Sequence, residues 1–392
     1  MNVLLISEHY SPKVGGTVSY VKNTALNMCK KEVNVFLLIP AIGEIGKIKE
    51  VNHPENNLKI LQVGVTTTNH LGYNQEERTR LCNYIKNNII EITQQYHIDV
   101  VHLLYGLFIA EILDTKSLQS KGIKTIHTIH NIPPFECSNS WKGDEVYFYI
   151  KDEFRKIGVR FINKKRIKKN PFDVYITPSQ IIKNELGKYV NSNKIHIIGH
   201  GGAEHVISKQ NKESTPINIL TVGGIVPHKN QLLIPKIAAH LLKNKIDFKW
   251  DIVGPVRNQR YYKALEKDIH THKVDNTVFI HTNVDKNTLN SFYNTASIYI
   301  QLSNEEGFCM TVLDAISHNI PVLAVPAGAI PEMLEKVGGT IIEKNLTSLK
   351  LMITHFLKIN PSLNINDELL VNFKKEYTWE NAVEKLIQLY HE

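Results

Sequence analysis

Residues 304–331 read NEEGFCMTVLDAISHNIPVLAVPAGAIP, and their pattern decides the fold that we predict. An apolar run at 297–302 comes just before them and is typical of a buried strand. Glu306-Gly307 predicts a turn, and 308–318 has the apolar periodicity of an amphipathic helix. A second apolar strand at 320–325 ends at Pro326. Strand, turn, helix and strand together predict one βαβ unit.

The chemistry of this unit indicates a site for a phosphorylated sugar. In a βαβ unit the carboxyl end of the first strand and the N-terminus of the helix meet at one crevice. Free N–H groups at a helix start bind anions, and a carboxylate such as Glu306 accepts hydrogen bonds from both hydroxyls of a diol. We therefore expect one ligand, held by the helix at its phosphate end and by the carboxylate at its sugar end.

Glu306-Gly307-Phe308, followed by Asp314-Ala315, resembles the Glu-x7-Glu motif of retaining family-4 glycosyltransferases with the GT-B fold. The resemblance extends over nearly the whole chain. It implies an α/β protein made of two Rossmann-like, doubly wound domains that face each other across a cleft. The chain departs from the motif at two positions, since Asp314 stands where the family usually has Glu, and Cys309 where it usually has Gly.

The bulk composition is that of a globular protein with two domains. The 392 residues are 42% hydrophobic and 21% charged, and each half is long enough to build its own core. The chain opens on an apolar strand at 2–7, without the basic region and cleavage site of a signal peptide, and no apolar run is long enough to span a bilayer. The four cysteines, Cys29, Cys82, Cys137 and Cys309, lack metal or redox spacing, so we expect a reducing cytoplasm.

The net charge of +8 lies entirely in the first half of the chain. Residues 1–203 contain 26 Lys and Arg against 18 Asp and Glu, whereas the remainder is balanced at 20 against 20. Much of the excess lies on a predicted helix at 144–169, whose section 155–169 carries eight Lys and Arg and no acid. Phe154, Ile157, Phe161 and Ile162 form an apolar stripe among these cations. A basic amphipathic helix is typical of contact with an anionic membrane surface. A solvated helix face that covers the domain is the alternative.

Two features of the first half lie at the carboxyl ends of predicted strands, where α/β enzymes place functional groups. Gly15-Gly16 connects the first strand to a helix and lets the backbone approach a phosphate, although an ordinary βα turn has the same pattern. His130 ends a strand at 124–130. By resemblance, the glycines lie against the donor diphosphate and the acceptor, and His130 contacts the transferred sugar; a structural, hydrogen-bonded histidine is the alternative. Residues 41–74 are expected to be irregular.

The resemblance also predicts the domain boundaries. Residues 199–203 read GHGGA and are similar to the interdomain linker of the family. We therefore expect an acceptor-side domain at 1–204 and a nucleotide-sugar-binding domain at 205–376. A C-terminal helix at 377–392 would cross back onto the first domain.

The loop after the strand 217–222 carries the expected cation of the second half. Lys229 matches a family lysine that neutralises the donor diphosphate. Gly224 stands where the family has an arginine, which removes one positive charge. Arg257 and Arg260, after a predicted strand at 248–254, are two candidates for supplying it.

The resemblance implies a retaining hexosyl- or N-acetylhexosaminyltransferase. It would move a sugar from a nucleotide-diphosphate donor to a glycan or lipid-linked acceptor, in the synthesis of lipopolysaccharide or another surface polysaccharide at the inner face of the membrane. The predicted catalytic residues are Glu306, Lys229 and His130. The predicted donor-binding residues are Gly15, Gly16, Gly224, Lys229, Glu306, Gly307, Phe308, Cys309, Met310, Thr311 and Asp314.

No cofactor or metal ion is expected, in agreement with the absence of an Asp-x-Asp motif from the sequence. Two alternatives stay open at this point. A GT-B sugar-nucleotide epimerase or phosphorylase would have the same fold. A non-enzymatic polyanion-binding protein would explain the basic first half, but the sequence contains no recognised nucleic-acid module.

Overall fold

The computed structural model describes residues 1–10, 15–54, 57–65, 75–131, 139–142, 144–202, 216–359 and 367–392. Its contacts divide the chain into two compact units. The first unit comprises Met1–Glu136, Ile157–Gly201 and Tyr377–Glu392, and the second comprises Cys137–Lys156 and Gly202–Glu376.

The first unit is built on an eight-stranded sheet with the order β3-β4-β2-β1-β5-β6-β7-β8. Every pairing in it is parallel except that of β3 with β4. The central strand β1 is apolar along its length and buried, as expected of a parallel strand covered on both faces. The strands are β1 Asn2–Ser7, β2 Asn34–Ile42, β3 Ile48–Asn52, β4 Leu58–Val65, β5 Val100–Tyr105, β6 Lys124–Thr128, β7 Val174–Thr177 and β8 Ile195–Ile197.

Helices connect these strands and supply the other half of the core. On the helix at Gln75–Gln95, one apolar face packs in the same core cluster as Leu61 of β4. This face consists of Leu81, Ile85, Ile89 and Ile92. The helices that follow the strands of this sheet are α1 Gly16–Cys29, α2 Gln75–Gln95, α3 Leu107–Ile112, α4 Thr115–Ser120, α5 Val146–Lys169 and α6 Gln180–Leu186. The first turns of α5, up to Lys156, belong to the second unit.

The prediction that residues 41–74 are irregular was wrong. It contains the hairpin of β3 and β4, and β4 pairs with β2 over eight residues, from Val35↔Leu58 to Ile42↔Val65. Lys59 and Gln62 interrupt the apolar pattern of β4, and their polarity concealed a strand that otherwise buries Leu58, Ile60, Leu61 and Val63. Pairing with β2, a contact distant in sequence, decides this strand.

The second unit is built on a six-stranded, all-parallel sheet with the order β11-β10-β9-β12-β13-β14. Strands and helices alternate along the chain, so the predicted α/β class is confirmed in both units. The strands are β9 Ile217–Val222, β10 Phe248–Val253, β11 Val278–His281, β12 Ile298–Gln301, β13 Val322–Ala324 and β14 Thr340–Ile341. The helices are α7 Ile234–Lys243, α8 Gln259–Thr271, α9 Lys286–Thr295, α10 Met310–Ser317, α11 Ile330–Val337, α12 Leu346–Ile359 and α13 Asp367–Glu376.

The last helix, α14 Trp379–His391, packs against α1 in the first unit. The hydroxyl of Tyr390 lies 2.6 Å from Nδ1 of the buried His102. Lys31 of α1 forms ion pairs with Glu380 and Glu384, at 2.8 and 2.6 Å. Among the described residues, no helix is both long enough and apolar enough to cross a membrane.

Candidate active site

A buried ion pair lies at the carboxyl edge of the second sheet. Nζ of Lys229 is 2.6 Å from Oε1 of Glu306, and the two side chains are 18% and 8% exposed. The two residues follow β9 and β12, which are neighbours in the sheet, so their loops emerge side by side. The backbone N–H of Asn304 donates to the carbonyl of His228 at 2.8 Å and ties the loops together. The sequence analysis selected both residues as donor ligands, and the structure adds their direct contact.

Glu306 is held in its ionised form by its neighbours. Burial by itself would raise the pKa of Glu306, but the charge of Lys229 and hydrogen bonds from Lys229, Ser303 and Gln301 together lower it below its ordinary value. Gln301 Nε2 donates to Oε1 of Glu306 at 2.7 Å. Because Lys229 is charged as well, the pair has no net charge and presents an oriented carboxylate beside an ammonium group.

The N-terminus of α10 follows directly after Glu306. Helix α10 begins at Met310 rather than at Phe308, because Cys309 has a left-handed backbone with φ 66° and cannot continue the helical hydrogen bonding. Cys309 provides no side-chain cap. The first amides of a helix have no carbonyl partner within it, so the N–H groups of Met310 and Thr311 lie at the positive end of the helix dipole. Free amides at a helix start are a geometry that can bind an anion.

The thiol of Cys309 is a buried polar neighbour of the ion pair. Its Sγ lies 3.5 Å from Nε2 of Gln301 and 3.6 Å from Oγ1 of Thr311. Burial, followed by the charge of Glu306, raises the pKa of the Cys309 thiol to about 12. At neutral pH the group is therefore a thiol and not a thiolate nucleophile.

The turn that contains Gly328 packs against the turn at Glu306-Gly307. The N–H of Ala329 donates to the carbonyl of Gly307 at 2.9 Å. Gly328 has φ +53°, and a Cβ at this position would lie 2.1 Å from the carbonyl oxygen of Gly307 and 2.5 Å from that of Glu306. Only glycine allows the two turns to approach this closely.

Asp314 lies on the second turn of α10 and is partly buried. Burial raises the pKa of Asp314 to about 7, and the charge of Lys286 opposes this effect. No hydrogen bond to its carboxylate comes from any residue that the structure describes. Asp314 is thus a partly buried carboxyl group whose protonation changes near neutral pH.

Gly223-Gly224 directly follows β9, Arg257 lies in the loop after β10, and Arg260 lies in the first turn of α8. Arg260 is engaged in a structural contact, because its guanidinium is 3.1 Å from Asp144 and 3.5 Å from the ring centre of Phe148. The side chain of Arg257 instead lies against Gly224, where Cγ of Arg257 would be 3.1 Å from an added Cβ. The structure thus separates two arginines that the sequence left equivalent.

His130, Gly15 and Gly16 belong to the first unit. His130 is buried, with Nε2 2.7 Å from the carbonyl of Leu104 and Nδ1 3.1 Å from Nε2 of His200. Burial lowers the pKa of His130 to about 4, so the ring is neutral at pH 7 and both of its nitrogens are engaged. Gly15 and Gly16 are exposed at the start of α1, and Tyr20 of the same helix packs edge-on against His130 at 4.6 Å.

Two polar residues near these sites were missed by the sequence analysis. Gln301 ends β12 and orients Glu306. Glu8 follows β1, is 3% exposed and has Oε2 3.7 Å from Nε of Arg78. In both cases the available signal was a polar residue at the carboxyl end of a buried strand, as the last residue of β12 for Gln301 and as the first after β1 for Glu8. In the part of the chain that the structure describes, no group of three or more His, Cys, Asp and Glu side chains could hold a metal ion.

The two Rossmann-like units define the GT-B class of glycosyltransferases, as predicted. Residues 203–390 match the family described as "Glycosyl transferases group 1", and residues 14–201 match "Glycosyltransferase Family 4". The chain therefore carries a glycosyltransferase domain in each half, and these matches support glycosyltransferase function.

Two curated relatives are similar to the chain. One is the uncharacterized glycosyltransferase MJ1178 of Methanocaldococcus jannaschii, 24% identical over 408 residues that cover 100% of this chain and 98% of the relative. The other is the O-antigen chain mannosyltransferase RfbU of Salmonella typhimurium, 24% identical over 297 residues that cover 74% of this chain and 71% of the relative.

Two solved structures share the fold over nearly their full length. Sucrose-phosphate synthase from Thermosynechococcus elongatus has a TM-score of 0.76 at 15% identity, covering 100% of this chain and 98% of that one. Anabaena Alr3699/HepE in complex with UDP has a TM-score of 0.69 at 14% identity, covering 100% of both chains. At these identities the likeness concerns the fold alone.

Proposed function

We propose that this protein is a retaining glycosyltransferase that takes its sugar from a nucleotide-diphosphate donor. The observation that carries the proposal is the buried Lys229–Glu306 pair beside the uncapped N-terminus of α10. This arrangement combines an anion site with an oriented carboxylate within a few residues of each other. Binding of UDP by the structural neighbour from Anabaena supports a nucleotide donor.

Each group has a defined task in this proposal. Glu306 accepts hydrogen bonds from hydroxyls of the donor sugar, and Asp314 accepts them from the nucleotide ribose. The ammonium of Lys229 and the N–H groups at Met310 and Thr311 stabilise the charge that develops on the leaving diphosphate. Such preorganised electrostatic stabilisation is often the largest catalytic term. Gly15-Gly16 in the first unit is kept as a candidate backbone site for the diphosphate or acceptor, whereas the two engaged ring nitrogens of His130 favour a structural role for that residue.

The proposed transfer balances with the atoms of the two substrates. The bond between the anomeric carbon and the diphosphate oxygen breaks, and a bond to the acceptor oxygen forms on the same face of the sugar. The proton of the acceptor hydroxyl passes to the departing phosphate oxygen. The chain's contribution is to position both substrates and to stabilise the leaving charge.

We further propose a glycan or lipid-linked acceptor of the kind used in surface-polysaccharide synthesis, with a hexose or N-acetylhexosamine as the transferred sugar. The similarity to an O-antigen chain mannosyltransferase supports this choice. The fold likeness to sucrose-phosphate synthase makes a sugar phosphate the competing acceptor to test.

Helix α5 supports the proposal of a peripheral contact with the inner face of a membrane. The sequence indicated attraction by its positive charges, whereas the structure adds exposed apolar side chains as a second contribution. Several of its cations are paired within the protein: Arg155 with Asp152 at 2.7 Å, Lys156 with Glu153 at 2.9 Å and Arg166 with Glu111 at 2.7 Å. In contrast, large apolar side chains are exposed along the helix at spacings of three and four residues. These side chains are Val146, Ile150, Phe154, Ile157 and Phe161, between 50% and 72% exposed. The proposed attachment therefore combines apolar insertion with attraction by Lys164, Lys165 and Lys168.

The membrane proposal is tested by co-sedimentation with vesicles, with and without anionic lipid. Raising the salt to 1 M should weaken binding to anionic vesicles without abolishing it, because screening removes only the charge contribution. Phe154→Ser/Phe161→Ser should reduce binding at both salt concentrations, whereas Leu351→Ser, at a 58% exposed position on α12, should not. Binding that the Phe variant retains in full, or none by the wild type, contradicts the proposal.

The transferase proposal is tested in two steps. A thermal-shift screen against UDP-, GDP- and ADP-sugars identifies the donor, since a ligand at 100 times its Kd stabilises the folded state by about 2.7 kcal/mol. The identified donor is then incubated with lipid-linked glycan and with sugar-phosphate acceptors, and the anomeric configuration of the product is read by NMR. Inversion, or consumption of the donor without transfer to any acceptor, contradicts retaining transfer; the latter result would favour an epimerase.

A further inference from the structure

Two consecutive glycines in the second unit are flanked by cationic side chains. A Cβ on Gly223 would lie 3.5 Å from Cε and 3.8 Å from Nζ of Lys229. A Cβ on Gly224 would lie 3.1 Å from Cγ of Arg257. Because neighbouring Cα atoms are only about 3.8 Å apart, both cationic side chains run past the same short piece of bare backbone.

The charge balance of the site calls for a cation besides Lys229. Lys229 is paired with an ionised Glu306 at 2.6 Å, so the two groups cancel. A nucleotide diphosphate brings negative charge that this pair does not neutralise. A guanidinium is well suited to it, because its planar donors match phosphate oxygens in pairs.

The backbone of Arg257 is fixed at this position. Ile225 and Val256 form a parallel bridge, and the N–H groups of Arg257 and Asn258 both donate to the carbonyl of Ile225, at 3.3 and 3.1 Å. The side chain of Asn258 in turn caps α8 by accepting from the N–H of Tyr261 at 3.0 Å. The segment that carries Arg257 is therefore anchored beside Gly224, and the partly buried side chain of Arg257 is long enough to reach a ligand.

We propose that Arg257 binds the diphosphate of the nucleotide-sugar donor and that the absent side chain at Gly224 provides the space for it. The proposal rests on the proposed function, since it names a further ligand of the same donor. The proposal does not extend to Arg260, because its guanidinium contacts Asp144 and the rings of Trp141 and Phe148.

The test measures binding of UDP, GDP and ADP, and of the matching nucleosides, by titration calorimetry. Arg257→Ala should weaken binding of the preferred nucleoside diphosphate by about 10- to 100-fold, the range for a lost charge-assisted hydrogen bond. Affinity for the nucleoside should not change, because it lacks the diphosphate. Lys263→Ala, which removes an exposed cation from the neighbouring α8, is the matched control and should bind as the wild type does.

A relocation variant makes the test sharper. Gly224 does not have a positive φ, so a side chain is allowed there once Cγ of Arg257 is removed. Arg257→Ala/Gly224→Arg should therefore recover most of the lost affinity for the diphosphate. If Arg257→Ala binds it as tightly as the wild type, the inference about Arg257 is wrong and the proposed function stands. If the wild type binds none of the three nucleoside diphosphates, the proposed function fails and the inference with it.

Discussion

Replacing Lys229 by methionine would leave the buried carboxylate of Glu306 without its counter-ion, and the consequence should depend on pH. Removal of one partner from a buried pair typically costs about 3–5 kcal/mol, because an uncompensated charge remains. Both side chains are largely buried and 2.6 Å apart, so we expect a loss of this size near pH 7 for Lys229→Met. The variant keeps the burial that raises the pKa of Glu306 and loses the charge of Lys229 that lowers it.

The sign of the pH dependence follows from these shifts. In the wild type the folded pKa of Glu306 is lowered, so the stabilising contribution is present above the unfolded pKa of about 4.3 and is lost as the pH falls through the folded value. In the variant the folded pKa is raised, so the protein loses stability as the pH rises above about 4.3. The difference in unfolding free energy between the two proteins should therefore shrink as the pH falls from 7 to 4.

The assay is urea denaturation followed by tryptophan fluorescence. In a Trp379→Phe background the two remaining tryptophans, Trp141 and Trp250, both lie in the second unit and report its unfolding. Lys263→Met, at an exposed lysine, serves as the control and should change little. Lys229→Met/Glu306→Gln should recover much of the stability, since a neutral amide needs no counter-ion. An equal loss at pH 4 and pH 7, or no recovery in the double variant, would refute the reasoning.

Three further predictions concern the backbone and the second carboxylate of the site. Gly328→Ala should destabilise the second unit by more than about 3 kcal/mol in the same assay, because the Cβ of the alanine would lie 2.1 Å from the carbonyl oxygen of Gly307. A change below about 1 kcal/mol contradicts the close approach of the two turns. Cys309→Gly should change the unfolding free energy by less than about 1 kcal/mol, since the relief of backbone strain at φ 66° offsets the lost packing of the side chain. Cys309→Val should cost at least about 2 kcal/mol, and the opposite ranking would show that the left-handed backbone is not retained. The pKa of Asp314 is raised to about 7 in the folded protein, so the wild type should lose stability between pH 4 and 7, where the unfolded chain gives up this proton first. Asp314→Asn should remove this pH-dependent loss of stability, and identical pH profiles of the two proteins would contradict the prediction.

Much of the second unit was predictable because its signals are local. The apolar runs of β12 and β13, the turn at Glu306-Gly307 and the periodicity of α10 all lie within residues 298–324. The pleat of a strand and the turn of a helix impose their periods on neighbouring residues, so a single stretch of sequence reveals them. The placement of Lys229 and Glu306 along one edge of the sheet could be predicted as well, since the loops at the carboxyl ends of parallel strands share that edge. Their direct contact depends on β9 and β12 being neighbours in the sheet.

Other features were decided by contacts between residues that are distant in sequence. Strand β4 was hidden by Lys59 and Gln62 until its pairing with β2 showed it. The balance of charge and apolar surface on α5 depended on partners such as Glu111, which the sequence of the helix does not contain.

By itself, the sequence determined the α/β class and the βαβ unit around residue 306, and it singled out Lys229 and Glu306 as candidate ligands. Only the tertiary structure decided that Arg260 is bound to Asp144 while Arg257 lies on Gly224, and that burial brings the pKa of Asp314 to about 7. The physical reason is range: secondary structure is set by neighbours along the chain, whereas the charge state and contacts of a side chain are set by the groups that the fold packs around it.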